Sequence, residues 1–461
     1  MLDRRAFLGT TGLGLAGLAT RGTARAPDLI LDIQRRTFDF FRDTTDPRTG
    51  LAPDRWPTSS FASIAAVGFA LTAWPIGAAN GWMTRSEART RTLNCLAFLA
   101  AAPQGPGATG VSGHKGFFYH FLDMQTGLRF RRTELSTIDT TLLLGGVLFA
   151  QTWFDRNDPV EARIRALAEQ LYRAVDWTWI VPRGTFVGMG WHPETGYIPH
   201  DWDIYNEAML LYVLALASPT HPLPPSTWRA LTKRFDASWT DRHGPAHLHF
   251  PPLFIHQYSH MFVDFRGIRD PYIASRGIDY FENTRRATQA QRGYAIANPG
   301  GFAGYGADCW GLTACDGPGD FTATLDGRQR QFFSYSARGP GDRDDGTIAP
   351  TAALGSIALA PEIVVPAARA MHARYGRGIY GRYGFWDSFN PTLTDARVPL
   401  KHGRVVPGVG WVDGDHLGID QGPILGGIEN WRSGLVWRTM RRNPHIRRGL
   451  ERAGFTGGWL A

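Results

Sequence analysis

The chain is poor in cysteine, in lysine and in long apolar runs, and each shortage closes off a class of protein. Its three cysteines, Cys95, Cys309 and Cys315, are odd in number and scattered over 461 residues, which excludes a disulfide-stapled scaffold. Cys95 falls in an apolar helical stretch and reads as core, while Cys309 and Cys315 can pair or stay reduced. No CxxC or HExxH spacing marks a metal site and no Gly-rich loop follows a convincing strand, so no metal or other cofactor is expected. Of the 49 basic residues all but Lys115, Lys233 and Lys401 are arginine. They do not cluster among aromatic residues, so nucleic acid is a poor partner. A formal net charge of +8 is mild for this length, and the arginines are expected to pair with carboxylates or line a polar groove.

The first residues read as an export signal rather than as fold. Asp3-Arg4-Arg5-Ala6-Phe7-Leu8 resembles a twin-arginine motif, and Ala24-Arg25-Ala26 offers a small-x-small cleavage site. The apolar run between them, Ala6 to Ala19, is too short and weak for a permanent anchor. Residues 1–26 are therefore assigned to a twin-arginine-type signal peptide, and a periplasmic protein with no membrane anchor is expected. The remainder, 27–461, carries a net charge of +5. Its length exceeds the usual single domain and favours two, yet no linker of Pro, Ser or Gly repeats divides it, and one large toroid also explains that length; a monomer is expected.

Helical patterns recur throughout that segment, about a dozen in all. They cover Leu29–Arg42, Phe61–Ala79, a helix from Thr84 to Ala102, Ser136–Phe154, Val160–Ile180, Tyr205–Ala217, Ser226–Ser238, Gly277–Ala297, Thr351–Ala360, Pro361–Tyr375, Gly422–Arg441 and Pro444–Ala453. Thr84-Arg85-Ser86-Glu87 is a capping box, Ser136-Thr137-Ile138-Asp139 is its aspartate variant, and Asp158-Pro159 is an N-cap followed by proline. Several neighbours alternate between nearly all-apolar and amphipathic, which two concentric rings of helices satisfy. Long connections near 104–133, 181–204, 297–349 and 376–420 are rich in Gly, aromatic and charged residues, the composition of loops that carry function. Short strands are expected within them, for example Gly116–His120 with Arg129–Arg132. Gly339–Gly346, with Gly, Pro and charge, is expected to be the first segment a protease cuts.

One stretch gathers the chemistry. Trp191, His192, Glu194, Tyr197, His200, Asp201, Trp202 and Asp203 crowd together ahead of an apolar run from Ala208 to Ala217. A cap at Asp203 or Asn206 puts Glu207 in the first turn of a buried helix. Aromatic faces that stack on sugars, beside a carboxylate that can move a proton, suggest carbohydrate chemistry; the plain alternative is that Glu207 only complements the helix dipole.

Several motifs then converge on one family. Glu134-Leu135-Ser136-Thr137-Ile138-Asp139-Thr140, Tyr205-Asn206-Glu207-Ala208-Met209 and Ser218-Pro219-Thr220-His221-Pro222 resemble motifs of the glucoamylase-like proteins. So do Gln257-Tyr258-Ser259-His260-Met261 with Asp264-Phe265-Arg266, and Trp310-Gly311-Leu312-Thr313-Ala314-Cys315-Asp316-Gly317-Pro318. Gly384-Phe385-Trp386-Asp387-Ser388-Phe389-Asn390 and Gly418-Ile419-Asp420-Gln421-Gly422-Pro423 extend the match, which runs in order over about residues 30–455. The group includes glycoside hydrolase family 144 endo-β-1,2-glucanases and the related domain of cyclic β-1,2-glucan synthases. The resemblance implies an all-α, (α/α)6 toroid with long functional loops at one mouth, acting on β-1,2-glucan. It implies Glu207 as general acid, Asp387 as the far carboxylate proposed as base, and Asp139 as an acidic residue near the cleavage subsites. Cys315 departs from the pattern, standing where a serine is expected.

Glycoside hydrolysis needs a proton donor and a second carboxylate to activate water or attack the sugar. An acid at a helix N-terminus needs apolar walls or a neighbouring carboxylate to stay protonated; Trp202, Tyr205, Asp201 and Asp203 are near enough in sequence. Asp139 doubles as a helix cap. Glu134 can bond hydroxyls or an arginine; Asp316 and Asp420 are site residues or turn formers. His120, His192, His260 and Tyr258 are placed in loops, where with Trp56, Trp191, Trp202, Tyr205, Trp310 and Trp386 they form sugar subsites, and Arg55, Arg132 and Arg266 add charge-assisted bonds. Other readings fit the same scaffold: exo-cleavage, another linkage or transglycosylation, a polysaccharide lyase, or a non-catalytic glucan-binding protein.

Overall fold

Short polar side chains start many of the helices. Thr84 Oγ1 accepts from Glu87 N at 3.1 Å, Ser136 Oγ from Asp139 N at 3.2 Å, and Asp158 Oδ1 from Val160 N at 2.9 Å, each satisfying a backbone donor the helix leaves open. The computed structural model describes residues 28–461 apart from Asp326; the segment assigned to a signal peptide, 1–26, lies outside the described residues.

Outer and inner helices alternate along the chain. The pairs are α1 (Leu29–Thr44) with α2 (Ile64–Ala79), α3 (Arg85–Ala101) with α4 (Thr137–Trp153), and α5 (Pro159–Ala174) with α6 (Met209–Ala217). Then come α7 (Pro225–Thr232) with α8 (Phe254–Phe262), a short α9 (Pro271–Ser275), α10 (Tyr280–Ala297) with α11 (Pro350–Leu354), and α12 (Pro361–Tyr375) with α13 (Gly418–Arg432). Finally α14 (Leu435–Met440) and α15 (Pro444–Ala453) pack on α4 and α6. The first member of each pair lies outside. The inner helices α2, α4, α6, α8, α11 and α13 close an (α/α)6 toroid: α2 packs on α4, α4 on α6, α6 on α8, and α13 on α8, α11 and α2. Gln257 Nε2 joins α8 to α11 by donating to Ala352 O at 2.7 Å. Every residue of α6 is buried, as expected of a helix covered on all sides. Glycine allows the closest approach: a Cβ on Gly146 of α4 would lie 2.0 Å from Gly68 O of α2. No helix among the described residues is long and apolar enough to cross a membrane.

The connections are unequal. Those from an inner to the next outer helix are mostly short, whereas those entering an inner helix are long, so the long loops collect over the inner-helix N-termini. Small antiparallel strands knit them there. Arg55–Trp56 pairs with His416–Leu417, Ala62–Ser63 with Phe121–Leu122, and Leu135–Ser136 with Gly190–His192.

Several expected boundaries move. Val160–Ile180 stops at Ala174, Thr351–Ala360 keeps an α-helix only over Pro350–Leu354, and Tyr205–Ala217 begins at Met209. Gly422–Arg441 becomes α13 and α14, split at Gly434 with φ +66°, a conformation glycine adopts without strain. The strand expected over Gly116–His120 is Phe117–Phe118, paired with Gly113–His114. The helix α8 was not foreseen, because its buried face carries Gln257, Ser259 and His260, each with a hydrogen-bonded partner rather than an apolar one. Gly339–Gly346 is anchored at its end, where Arg338 and Asp345 form a fully buried pair at 2.9 Å and Tyr294 and Tyr305 donate to Asp344, while Gly341, Asp342 and Arg343 are exposed.

Candidate active site

Carboxylates gather where the inner helices begin. Asp139 is the third residue of α4 and Asp420 the third of α13, while Glu207 lies two residues ahead of α6 rather than in its first turn. Neither Asp203 nor Asn206 caps α6 as expected. Asn206 Oδ1 instead accepts from Ala208 N at 3.0 Å, forming a tight turn around Glu207. Ser259 Oγ of α8 donates to Glu207 O at 2.8 Å and accepts from Leu210 N at 2.9 Å, so two inner helices fix this corner.

The Glu207 carboxyl is buried and its Oε2 has no hydrogen-bond partner. Desolvation pushes its pKa up to about 8; a backbone hydrogen bond opposes the shift, and the charge of Asp139 adds to it. Near neutral pH it therefore carries a proton despite the helix N-terminus beside it. It borders a cavity of about 470 Å³ whose lining includes Met189, Trp202, Asn206 and Phe254. Trp202 is locked in place, its Nε1 donating to Thr137 Oγ1 at 2.9 Å and its carbonyl accepting from Tyr212 OH at 2.6 Å. Asp139 accepts from Ser136 Oγ, and burial raises its pKa while His120 and Ser136 hold it down.

A denser acidic wall faces the mouth from other loops. One carboxylate oxygen from each of Asp316, Asp387 and Asp413 lies within 4.8 Å of the others, a spacing that can hold a cation or a shared proton. Asp316 N donates to Asp387 Oδ2 at 2.8 Å, and Ser388 Oγ donates to Asp316 O at 2.7 Å. Arg55 Nη1 pairs with Asp316 Oδ2 at 2.6 Å and lies 3.9 Å from Asp415; Asp415 also accepts from Thr58 N at 2.9 Å. Burial, then the charges of Asp420 and Asp316, push Asp387 well above the carboxylate range. Burial brings Asp420 to about 7, against a hydrogen bond from Asp387. Asp387 and Asp420 therefore titrate as a coupled pair, both held above the ordinary carboxylate range. A second cavity of about 420 Å³, lined by Arg55, Ser60, Phe61, Phe130 and Arg131 among others, opens beside this wall.

Of the expected site residues, Glu207, Asp139, Glu134, Trp202, Asp316 and Asp387 come to the mouth. Tyr258 joins them from α8, with Asp420, Glu207 and Asp139 all near enough to raise its pKa. Trp191, half-buried, stands on a mouth strand against Trp179 and His114. Trp386 stacks on His416 with ring centroids 4.4 Å apart, and Trp56 is exposed on the strand beside them.

Four expectations fail. His260 is not in a loop: it sits in the last turn of α8, its Nε2 2.9 Å from Thr284 Oγ1 and its carbonyl accepting from Trp437 Nε1. Arg266, beyond the C-terminus of α8, pairs with Asp264 and covers the Trp437 ring at 4.3 Å; both therefore belong to the end of the toroid opposite the mouth. Trp310 is buried in the core beneath α11 and α12. Tyr205 is buried, its hydroxyl 3.0 Å from His256 Nδ1 and accepting from Asn283 Nδ2 at 3.2 Å, so it supports the wall rather than meeting solvent. Cys309 and Cys315 are both buried and unpaired.

Sequence reasoning missed Asp54, Asp413 and Asp415 as members of the acidic wall. The available signal was the pair of aspartates in Asp413-Gly414-Asp415, immediately ahead of α13.

The Glycoamylase family model, described as "Putative glucoamylase", matches residues 199–444. A "putative glucoamylase" from Bacteroides uniformis has a similar structure, with a TM-score of 0.79 at 31% identity over 94% of this chain and 98% of that one. The endo-β-1,2-glucanase from Chitinophaga pinensis, solved in a sophorotriose and glucose complex, gives a TM-score of 0.76 at 26% identity over 94% of this chain and 99% of that one. An exo β-1,2-glucooligosaccharide sophorohydrolase (non-reducing end) of Parabacteroides distasonis is 28% identical over 453 residues, 91% of this chain. The chain spans 57% of the length of that curated relative. With the family model matched over more than half the chain and the toroid shared nearly end to end, the chain belongs to the glucoamylase-like family of (α/α)6 proteins.

Proposed function

We propose that this protein is a glycoside hydrolase that cleaves β-1,2-glucan inside the chain, with Glu207 as general acid and Asp387 on the base side. The observation that carries the reading is the buried Glu207 carboxyl, protonated near neutral pH, at the floor of an open mouth across which the second acidic wall stands. Glu207 gives its proton to the glycosidic oxygen as that bond breaks. A water attacks the anomeric carbon, and its proton passes to the coupled Asp387–Asp420 pair. Attack by water in one step gives inversion. Asp139, beside Glu207, and Glu134 bond sugar hydroxyls; Trp202, Trp191 and Trp386 line the path.

Endo-cleavage is supported by the open cavities, one of about 470 Å³ bordered by Glu207 and another of about 420 Å³ bordered by Arg55, which give room for several sugar units. The substrate follows from relatives named for β-1,2-glucan and its oligosaccharides. The Parabacteroides relative favours a second reading, exo-release of disaccharide from the non-reducing end. Incubation with linear β-1,2-glucan separates the two: a ladder of oligosaccharides from the first minutes supports endo-cleavage, and sophorose alone supports the exo reading. The anomer first released, followed by NMR, tests inversion. An inert enzyme on every β-1,2-glucan overturns the substrate.

A further inference from the structure

His120 occupies a place that sugar binding does not explain. Its ring lies between two carboxylates, Nδ1 2.7 Å from Glu134 Oε1 and Nε2 3.6 Å from Asp139 Oδ1. Its face stacks on Phe121 with centroids 3.9 Å apart. The backbone fixes it from both sides: His120 N donates to Glu134 O at 2.9 Å, and Ile64 N at the head of α2 donates to His120 O at 3.1 Å. The far oxygen of Asp139 is held by Ser136 Oγ. The ring therefore has little freedom, and both nitrogens face acceptors.

We propose that His120 is a positioning residue for the proton donor: clamped between Glu134 and Asp139, it holds Asp139 toward its carboxylate form beside Glu207, where that charge adds to the loss of water that keeps Glu207 an acid. The inference rests on Glu207 being the donor. The charges around each group support it. His120 is faced by Glu134, Asp139 and Asp54. Asp139 is faced by His120 and Glu134, with the Tyr258 hydroxyl coming from α8. Glu134 also feels His192, and Asp54 is answered by Arg55 and opposed by Asp316. Glu207 is faced by Asp139 and by Tyr258, behind which stand Asp420 and Tyr335. Three carboxylates converge on one imidazole. Burial alone lowers its pKa, but Asp139 and Glu134 outweigh that and raise it to about 9. Without that positive ring, the buried Asp139 takes up a proton, its repulsion of Glu207 disappears, and Glu207 loses its proton at a lower pH.

The test is the pH profile of kcat on β-1,2-glucan for wild type, His120→Gln, Asp139→Asn and the double variant, with an NMR titration of the His120 ring in the wild type. The expected result is a ring that stays protonated beyond about pH 8 and an alkaline limb displaced downward by roughly half to one pH unit in His120→Gln. Asp139→Asn should move the same limb, and the double variant should move it no further. Should His120→Gln fold poorly, Glu134→Gln leaves the ring in place, weakens its charge and should give a smaller shift of the same sign. A ring that titrates at the ordinary imidazole value, or a limb unmoved in a folded variant, overturns the proposal. Full activity in Glu207→Gln would instead remove the donor itself, whereas an inactive Glu207→Gln with an unmoved limb in His120→Gln removes only the role of His120.

Discussion

Glu207 has a single carboxylate, Asp139, whose charge acts on it, whereas Asp316, Asp387, Asp413, Asp415 and Asp420 crowd the opposite wall with Arg55 among them. Both walls hold protons near neutral pH, by different physics. Glu207 is raised chiefly by loss of water, helped by one neighbouring charge. Asp387 is raised by loss of water and by like charges near enough to share its proton. A desolvated single acid gives a localised proton that can be donated; a crowded set gives a delocalised one, together with the capacity to take up another. That division is what an acid–base hydrolase needs from its two sides.

The sharpest way to break the comparison is Glu207→Gln, which keeps the shape and removes the localised proton. Turnover on β-1,2-glucan should fall by a factor on the order of 10²–10⁴, while calorimetry should still detect glucan binding. On the crowded wall, Asp387→Asn and Asp420→Asn should each lower kcat by a factor on the order of 10² or more. Because the two titrate as a coupled pair, the double variant should be little worse than the poorer single one; losses that multiply would assign them separate steps. Arg55→Gln takes the cation from the wall. The aspartates then bind protons more readily, so the acid limb of kcat should move to higher pH, by roughly half to one unit. Leaving Asp316 without its partner should also cost about 1–3 kcal/mol of stability, read from denaturant unfolding.

A smaller effect concerns stability against pH in the free enzyme. Glu207 at about 8 and Asp420 at about 7 lie above their unfolded values of roughly 4. The stabilisation they give by staying protonated is complete below those unfolded values and is lost progressively from about pH 4 up to about pH 8. Tm should therefore decline across that interval, and Glu207→Gln, neutral at every pH, should flatten the decline. The smallest effect expected is from Cys315→Ser. The thiol is buried and accepts only a long contact from Arg338 Nη1 at 3.5 Å, so activity should change by less than about twofold and stability by about 1 kcal/mol or less.

Much of the scaffold was legible before any coordinates. Thr84, Ser136 and Asp158 cap helices because a short side-chain oxygen meets an open backbone donor a few residues away, a local event that sequence records. The two rings were readable because a helix covered on every side must be apolar on every side, as α2 and α6 are. The helix α8 was not, because its buried polar groups are satisfied by α10, α11 and the turn before α6, partners no local pattern displays. Tyr258 and His260 show the consequence: two residues apart, one joins the mouth and the other bonds Thr284 away from it. Trp310 and Trp386 likewise look alike in composition, and only packing buries one in the core and leaves the other partly open on His416. Composition tells only half the story at Gly339–Gly346, where Asp342 and Arg343 are exposed but Asp345 is buried against Arg338.

The sequence by itself determined most of the helices, though not α8, that they form two rings, and that Glu207 and Asp139 stand at or just ahead of the start of inner helices, since these follow from local capping and from the periodicity of apolar side chains. Only the tertiary structure decided which of those carboxylates carry protons. A pKa is set by desolvation and by charges a few ångströms away, and here those neighbours come from Asp54 and Arg55, from His120 and Glu134, and from loops ending at Asp420, segments hundreds of residues apart that meet at one mouth only when the toroid closes.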